Sequence, residues 1–334
     1  MTRIAIIGAG SWGTALAIAL TRGRQKHPLS LWVHDPALGE ALRARRVNDV
    51  YLPGVKLPEE VQVTTDLAAA LLDCDIVLGV MPSAHARTLY TRMLPHLAPR
   101  MVFVSATKGL EQSTRERMTE LIAQVVSVRF TPRVAALSGP SFAREVARGD
   151  PTAVVIASPD RELAARVQEE FSGPTFRLYA NDDVIGVELA GAVKNVIAIA
   201  AGVCEGLGLG SNSAAALITR GLAEMTRLAT ALGARAHTLA GLAGMGDLVL
   251  TCTGSLSRNR SVGVELGKGR RLEEILAGMR MVAEGVGTTA VTLELARALR
   301  VEMPIAEQMH AVLYQGRSPS DAIRELMDRS LKHE

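Results

Sequence analysis

A lysine, Lys194, and an asparagine, Asn195, interrupt an otherwise nearly unbroken apolar run, VIGVELAGAVKNVIAIAAGVCEGL, over residues 184–207. Ile185, Leu189, Val193, Val196, Ala200 and Val203 recur at helical spacing, so the segment reads as one long buried helix. An ammonium in such surroundings is costly unless it is paired or hydrogen-bonded. Of the 37 basic residues only six are lysine, and the rest are arginine. Arginine keeps its proton, whereas a desolvated lysine can release one near neutral pH, so a lysine retained inside a helix points to proton transfer. Two blander readings stand beside it: a lysine snorkelling from a core helix to water, and a membrane span. Glu188, Lys194 and Asn195 stop the run short of the roughly 18 apolar residues that a span needs, which disfavours the second.

Other polar residues stand where they could join such chemistry. Gly244-Met245-Gly246-Asp247 offers an aspartate on a tight turn. Ser257-Arg258-Asn259-Arg260 opens a helix, where backbone N–H groups and a guanidinium together make an anion site. An N-cap serine followed by a solvated arginine would leave the same sequence. Lys108, in Ala106-Thr107-Lys108-Gly109, follows an apolar strand, and both a ligand-facing lysine and a solvated loop lysine fit it. Gly8-Ala9-Gly10-Ser11-Trp12-Gly13 lies between the strand IAII and the helix-like TALAIALTRG. In that context the first glycine allows the tight turn, the second lets backbone approach a pyrophosphate, and the third lets helix and strand pack closely. The helix N-terminus then faces the phosphates of a dinucleotide. His34 and Asp35 follow the next strand, where a group reads the adenosine ribose. An aspartate there suits a free 2′-hydroxyl and a donating group suits a 2′-phosphate, so NADH and NADPH both stay open.

These residues need a scaffold, and the periodicity supplies one. Strand patterns at 29–33, 61–64, 76–80, 101–105, 134–137, 152–157 and 176–179 alternate with helix patterns that include 66–73, 111–126 and 160–172. Residues 37–60 read as a helix followed by a loop with Pro53-Gly54 and Pro58. The small-residue loop Ser138-Gly139-Pro140-Ser141-Phe142-Ala143 follows a strand. This rhythm predicts an α/β domain over residues 1–180, with a Rossmann-type doubly wound sheet. Ligands sit outside the carboxyl ends of such strands, where Lys108 falls. From residue 181 the alternation stops, and helix patterns run at 182–207, 211–232, 257–267, 271–279, 284–299, 304–315 and 318–331. The second domain, 181–334, is expected to be all-helical, with loops at 206–213 and 241–246.

Composition sets wider limits. A chain of 334 residues with 48% hydrophobic content supports two domains with real cores. A net charge of +3 is too small to argue for nucleic acid, and 3% aromatic content leaves few stacking residues, while mild basicity suits a small anionic ligand. Cys74, Cys204 and Cys252 are odd in number and far apart, and the seven histidines lack metal-ligand spacing, so no disulfide framework or metal site is expected. Met1-Thr2-Arg3 runs straight into IAIIGAG, too short an apolar stretch for a signal peptide, and the expected location is cytoplasmic.

Taken together, G-A-G-S-W-G-T-A, A-T-K-G around Lys108, S-G-P-S-F-A, G-A-V-K-N-V, G-x-G-D-L around Asp247 and S-R-N-R around Arg258 resemble glycerol-3-phosphate dehydrogenase of the bacterial NAD(P)-dependent type. The motifs stand in the family's order and cover residues 4 to about 288. The resemblance implies reversible reduction of dihydroxyacetone phosphate to sn-glycerol 3-phosphate with NADPH or NADH, feeding phospholipid synthesis, in a homodimer without nucleic acid or a membrane span. It also implies roles. Gly8, Gly10, Ser11, Trp12, Gly13, His34, Asp35, Ala143, Val282 and Glu284 would hold the cofactor, with Lys108, Gly139 and Ser141 lying between cofactor and substrate. Lys194 would be the acid/base, Asp247, Ser257, Arg258 and Asn259 would hold the substrate, Arg258 reaching the cofactor too, and Asn195 and Thr251 would belong to the same pocket. From side-chain chemistry, Asp247 would also orient the ammonium and balance its charge. One departure is Ala283, where such sequences commonly carry a bulkier residue. β-Hydroxyacid dehydrogenases also place a lysine on the first helix of a helical domain, but there an asparagine typically follows four residues on, and position 198 is alanine. A dinucleotide-binding sensor without turnover would need neither Lys194 nor Arg258.

Overall fold

The protein is described here by a computed structural model that covers residues 1–330. It comprises two compact units, Met1–Glu111 with Glu116–Glu188, and Gln112–Arg115 with Leu189 onward.

The first unit runs β1 (Ile4–Ile7), α1 (Ser11–Thr21), β2 (Leu29–Trp32), α2 (Pro36–Arg45), β3 (Val47–Asn48), β4 (Leu52–Lys56), β5 (Val61–Thr64), α3 (Leu67–Leu71) and β6 (Ile76–Gly79). It continues through α4 (Ser83–Met93), β7 (Val102–Ser105), α5 (Met118–Val126), β8 (Arg133–Ser138), α6 (Ala143–Arg148), β9 (Thr152–Ala157), α7 (Arg161–Phe171) and β10 (Phe176–Asn181). Eight strands form one sheet in the order β10-β9-β8-β7-β6-β1-β2-β5. Strands covered on both faces read as continuous apolar runs, and β1, β6 and β7 are buried throughout. Ile4 and Ile6 pack with Leu16 and Leu20 of α1 in one core layer, while Ala5 and Ile7 join Tyr90 and Phe103 in another. The chain leaves β1 for β2 and then returns to β6 on its other side, so the β1 and β6 ends meet at the point where the winding reverses.

Three local expectations change. The sheet is not wholly parallel: β9 runs antiparallel to β8, and β10 follows β9. Thirteen residues join Ser138 of β8 to Thr152 of β9, and the six of them that form α6 pack against α1 instead of running back along the sheet for a parallel return. Within the stretch 37–60, expected as a helix followed by a loop, β3 and β4 pair as a separate antiparallel hairpin. The helix expected from residue 111 starts at Met118. Before it, Glu111 N–H bonds the Glu116 carbonyl and Arg87 forks onto both carboxylates, closing a loop instead.

The second unit is helical: α8 (Val184–Gly206), α9 (Ser211–Ala231), α10 (Ala236–Leu239), α11 (Asp247–Thr253), α12 (Arg258–Gly267), α13 (Leu272–Ala277), α14 (Glu284–Ala298), α15 (Pro304–Tyr314) and α16 (Pro319–Met327). Residue 331, the expected end of the last helix, lies outside the described residues. The units divide between Glu188 and Leu189, within α8, rather than at residue 180. Glu188 is buried and accepts from Thr119 N at 2.8 Å, Thr119 Oγ1 at 2.5 Å and Arg117 Nη1 at 2.7 Å, so the first turn of α8 belongs with the sheet. By length and composition α8 could cross a membrane, but 89% of its most apolar stretch is buried inside the protein.

Residues 241–246 are not a loop. Leu242–Gly246 winds as a π-type turn that runs into α11. Gly244 makes this possible, because any Cβ there would overlap the Leu239 carbonyl. Glycine also sets how α8 meets α12: Cβ atoms on Gly202 and Gly206 would overlap the carbonyls of Arg260 and Val264, and one on Gly263 that of Ile199. The two backbones therefore touch without side chains between them.

Candidate active site

Lys194 lies midway along α8 and is 5% exposed. Its Nζ donates to Asp247 Oδ1 at 2.8 Å and to Thr251 Oγ1 at 2.5 Å. Asp247 and Thr251 are four residues apart at the start of α11, hence on one face of that helix. Thr251 Oγ1 in turn donates to the Asp247 carbonyl at 2.6 Å, which leaves its lone pairs for the ammonium. The lysine does not snorkel; it is held in the interior by a carboxylate and a hydroxyl. Asp247 stands on the opening turn of α11 rather than on a tight turn. Cys252, next along α11, is a buried thiol that desolvation pushes up to about 12, and it offers no nucleophile near neutral pH.

Asn195, one residue on from the lysine, is joined to the other anion-binding elements. Its Oδ1 accepts from Asn259 Nδ2 at 2.8 Å, and Asn259 Oδ1 accepts from Gly285 N at 2.9 Å. Asn259 thus ties α8 to the first turn of α14, and the amide bonds go to protein. Ser257 caps α12, its Oγ accepting from Arg260 N at 3.2 Å, so the plain N-cap reading describes that hydroxyl. Arg258 is not merely solvated: Nη1 donates to the Val282 carbonyl at 2.9 Å, just ahead of Ala283 and Glu284. Lys194, Asn195, Asp247, Thr251, Ser257, Arg258, Asn259, Val282 and Glu284 all belong to the helical unit.

The sheet unit gathers the remaining expected residues at the carboxyl ends of its strands. Gly8 has φ +122°, and a Cβ on it would overlap the Val80 carbonyl. A Cβ on Gly13 would overlap the Gly8 carbonyl, whereas one on Gly10 would meet nothing within 4 Å. The open side of Gly10, at the start of α1 with no acidic residue in its first turn, is the cradle a pyrophosphate fits. Trp12, the second residue of α1, packs edge-on to Phe176 with ring centroids 6.4 Å apart. Lys108 Nζ donates to the Gly139 carbonyl at 2.9 Å, and Ser141 Oγ donates to the same oxygen at 3.0 Å, so these three residues stand together. Ala143 opens α6. His34 is exposed beside Trp32, and Asp35 caps α2 by accepting from Ala37 N at 2.9 Å and Leu38 N at 3.4 Å.

One buried residue at the glycine turn carries no signal in the sequence patterns. Asn48 of β3 is completely buried and reaches the carbonyl of Ala9 inside that turn. Its only hint is composition, since the chain has five asparagines. Among the described residues, no group of three or more His, Cys, Asp or Glu could hold a metal ion.

A dinucleotide-binding sheet unit combined with a helical unit holding a buried lysine–aspartate pair marks a nicotinamide-dependent dehydrogenase. The family profile for the NAD-dependent glycerol-3-phosphate dehydrogenase N-terminus matches residues 3–164, and that for the C-terminus matches residues 183–324. The glycerol-3-phosphate dehydrogenase [NAD(P)+] of Koribacter versatilis is 63% identical over 330 residues, 98% of either chain. That of Citrifermentans bemidjiense is 55% identical over 332 residues, covering 99% of this chain and 98% of its own. The crystal structure of glycerol-3-phosphate dehydrogenase from Coxiella burnetii matches with a TM-score of 0.93 at 43% identity, covering 98% and 99% of the two chains. The chain belongs to the NAD-dependent glycerol-3-phosphate dehydrogenase family, and is an oxidoreductase that uses NAD(P).

Proposed function

We propose that this chain interconverts dihydroxyacetone phosphate and sn-glycerol 3-phosphate, with Lys194 as the proton donor and acceptor. In reduction the C4 hydride of NADH or NADPH goes to the ketone carbon, and the carbonyl oxygen gains negative charge. An ammonium beside that oxygen stabilises the charge and supplies the proton, leaving the alcohol, an amine and NAD(P)+. Asp247 and Thr251 fix where the ammonium points. The observation that carries this reading is the burial of Lys194 Nζ against both. Arg258, at the α12 N-terminus, holds the phosphate, and Asn195, Ser257 and Asn259 shape the pocket it occupies. In the sheet unit the Gly8–Gly13 turn, Ser11 and Trp12 take the pyrophosphate side of the cofactor, His34 and Asp35 its ribose, and Ala143 a further face. Lys108, Gly139 and Ser141 support the reacting ends, and Val282 and Glu284 complete the cofactor contacts. Supply of glycerol 3-phosphate to phospholipid synthesis, a homodimer and a cytoplasmic location belong to the same reading and rest on the family resemblance.

The test replaces Lys194 together with its counter-charge. Lys194→Met alone takes the ammonium away from a buried carboxylate, which costs stability and confuses it with catalysis. The double variant Lys194→Met/Asp247→Asn removes that charge. It is expected to keep a cooperative fold and NADPH binding while kcat falls by about 10²–10⁴ or more. A double variant with near-parental kcat would make the lysine structural.

A further inference from the structure

The hairpin of β3 and β4 has no part in the reaction as described, yet its residue Asn48 is among the most deeply buried polar side chains of the sheet unit. Nδ2 donates to the Ala9 carbonyl at 2.8 Å and to Thr14 Oγ1 at 2.9 Å, and Oδ1 accepts from Tyr51 N at 3.0 Å. Both N–H bonds and the carbonyl are used, and the orientation is fixed: turned over, the amide would set oxygen against the Ala9 oxygen and N–H against the Tyr51 N–H. Ala9 belongs to the Gly8–Gly13 turn, and Thr14 follows it in the first turn of α1, with its N–H bonded to the Gly10 carbonyl at 3.0 Å. A turn that aims its N–H groups outward at an anion directs carbonyls back into the protein, where each needs a donor. For Ala9 the close donor is Asn48 Nδ2 at 2.8 Å, with Thr14 Oγ1 reaching the same oxygen only at 3.5 Å.

We propose that the β3–β4 hairpin is a brace for the pyrophosphate turn, with Asn48 as a positioning residue for cofactor binding. It touches neither cofactor nor substrate; it holds the turn in the shape that receives the phosphates. Removing the Asn48 amide leaves the buried Ala9 carbonyl with only the long 3.5 Å bond from Thr14 Oγ1, and the turn relaxes toward other partners before the cofactor arrives. Reordering it then weakens binding, while the proton chemistry of the helical unit is untouched. The inference rests on the Gly8–Gly13 turn being the cofactor's seat, and the experiment separates the two.

The experiment uses full-length protein and NADPH as the probe, with binding followed by nucleotide fluorescence. Asn48→Ala is expected to raise the NADPH Kd about 5- to 50-fold, with kcat at saturating NADPH and KM for dihydroxyacetone phosphate within about twofold of the parent. Asn48→Asp keeps the shape but has no donor when ionised. Its NADPH deficit relative to the parent is expected to be largest near about pH 8 and to narrow as pH falls and the acid O–H returns a donor to Ala9. This second variant also serves if the alanine variant does not fold. Gly10→Asp, which puts a carboxylate where the pyrophosphate comes, is the control for the seat. If Gly10→Asp loses NADPH while both Asn48 variants bind it normally, or melt lower with an unchanged Kd, the brace is wrong and the seat right. If Gly10→Asp also binds normally, the seat is wrong and the inference goes with it.

Discussion

In the proposed function, Arg258 is the residue that would carry the choice of substrate. Its guanidinium stands at the first position of α12 and is steadied by the Val282 carbonyl, an arrangement suited to a phosphate dianion. Arg258→Ala is expected to lower kcat/KM for dihydroxyacetone phosphate by about 30- to 1000-fold, or roughly 2–4 kcal/mol of transition-state binding. Dihydroxyacetone, which lacks the phosphate, should lose far less in the same variant, and phosphite should activate its reduction by the parent more than by the variant. Equal proportional losses, with phosphite activation intact, would transfer the phosphate to other residues. Asp35 calls for a different expectation. Its Oδ1 already caps α2, so Asp35→Ala removes a helix cap worth about 1 kcal/mol as well as a ribose partner. Asp35→Ser retains the cap and separates the two effects: if Asp35 reads the ribose, the serine variant keeps its thermal stability but loses NADH efficiency relative to NADPH. A serine variant with an unchanged ratio of kcat/KM for the two cofactors would leave Asp35 as a cap and nothing more.

Among the elements, the pair α8 and α12 decides how the helical unit presents its side chains, because one helix carries Lys194 and the other Arg258. Gly263 faces the Ile199 carbonyl and the Cα of Gly202, with no room for a methyl group. Gly263→Ala is expected to push the helices apart, destabilising by about 1–3 kcal/mol in denaturant titration and lowering kcat/KM with it. Alanine there with full stability would mean that the interface has slack. Patterns local in sequence are legible without the structure: the glycine turn after β1, the apolar strands and the helical period around Lys194 each repeat over a few residues. What was hidden depends on partners far along the chain or on backbone approach. Asp247 could not be paired with Lys194 from spacing, since the two are 53 positions apart. The glycines at 241–246 imitate a loop when they serve close packing, and the antiparallel direction of β9 shows only in its pairing with β8. Asn48 is invisible for the same reason, its meaning lying wholly in Ala9 and Thr14.

At the scale of the whole molecule, stability is tied to pH through a carboxyl that takes no part in the chemistry. Glu224 of α9 is buried and accepts from Ile305 N at 2.8 Å and Ala306 N at 3.4 Å, at the first turn of α15. Burial pushes it from 4.5 up to about 7, against the pull of those two N–H groups and of Arg227, while Glu307 adds to the rise. A folded pKa above the unfolded one means that the folded state binds the extra proton in between. Its contribution is therefore full below about pH 4.5 and is lost as pH rises to about 7, by at most about 3 kcal/mol. Glu224→Gln should flatten this slope, so unfolding free energies at about pH 5 and pH 8 should diverge less in the variant than in the parent. The carboxylates held low by arginine or lysine, such as Asp160 and Glu265, act at more acidic pH and do not mask the comparison. A glutamine variant with the same slope as the parent would show that the helix N-terminus keeps Glu224 ionised. The burial of α8 has a consequence for how the chain is made. Beyond the first turn, which Arg117 and Thr119 hold, the groups against it on α9, α11, α12 and α14 follow it in sequence, so the ribosome releases most of a helix of membrane-spanning length before that shelter exists. Gly285, the last of those packing partners, comes about eighty residues after Gly206, or roughly 4–16 s of synthesis at about 5–20 residues per second. During that interval the nascent chain displays the apolar stretch that chaperones and membrane-targeting factors bind, and prompt folding of the helices behind it is what withdraws it from both.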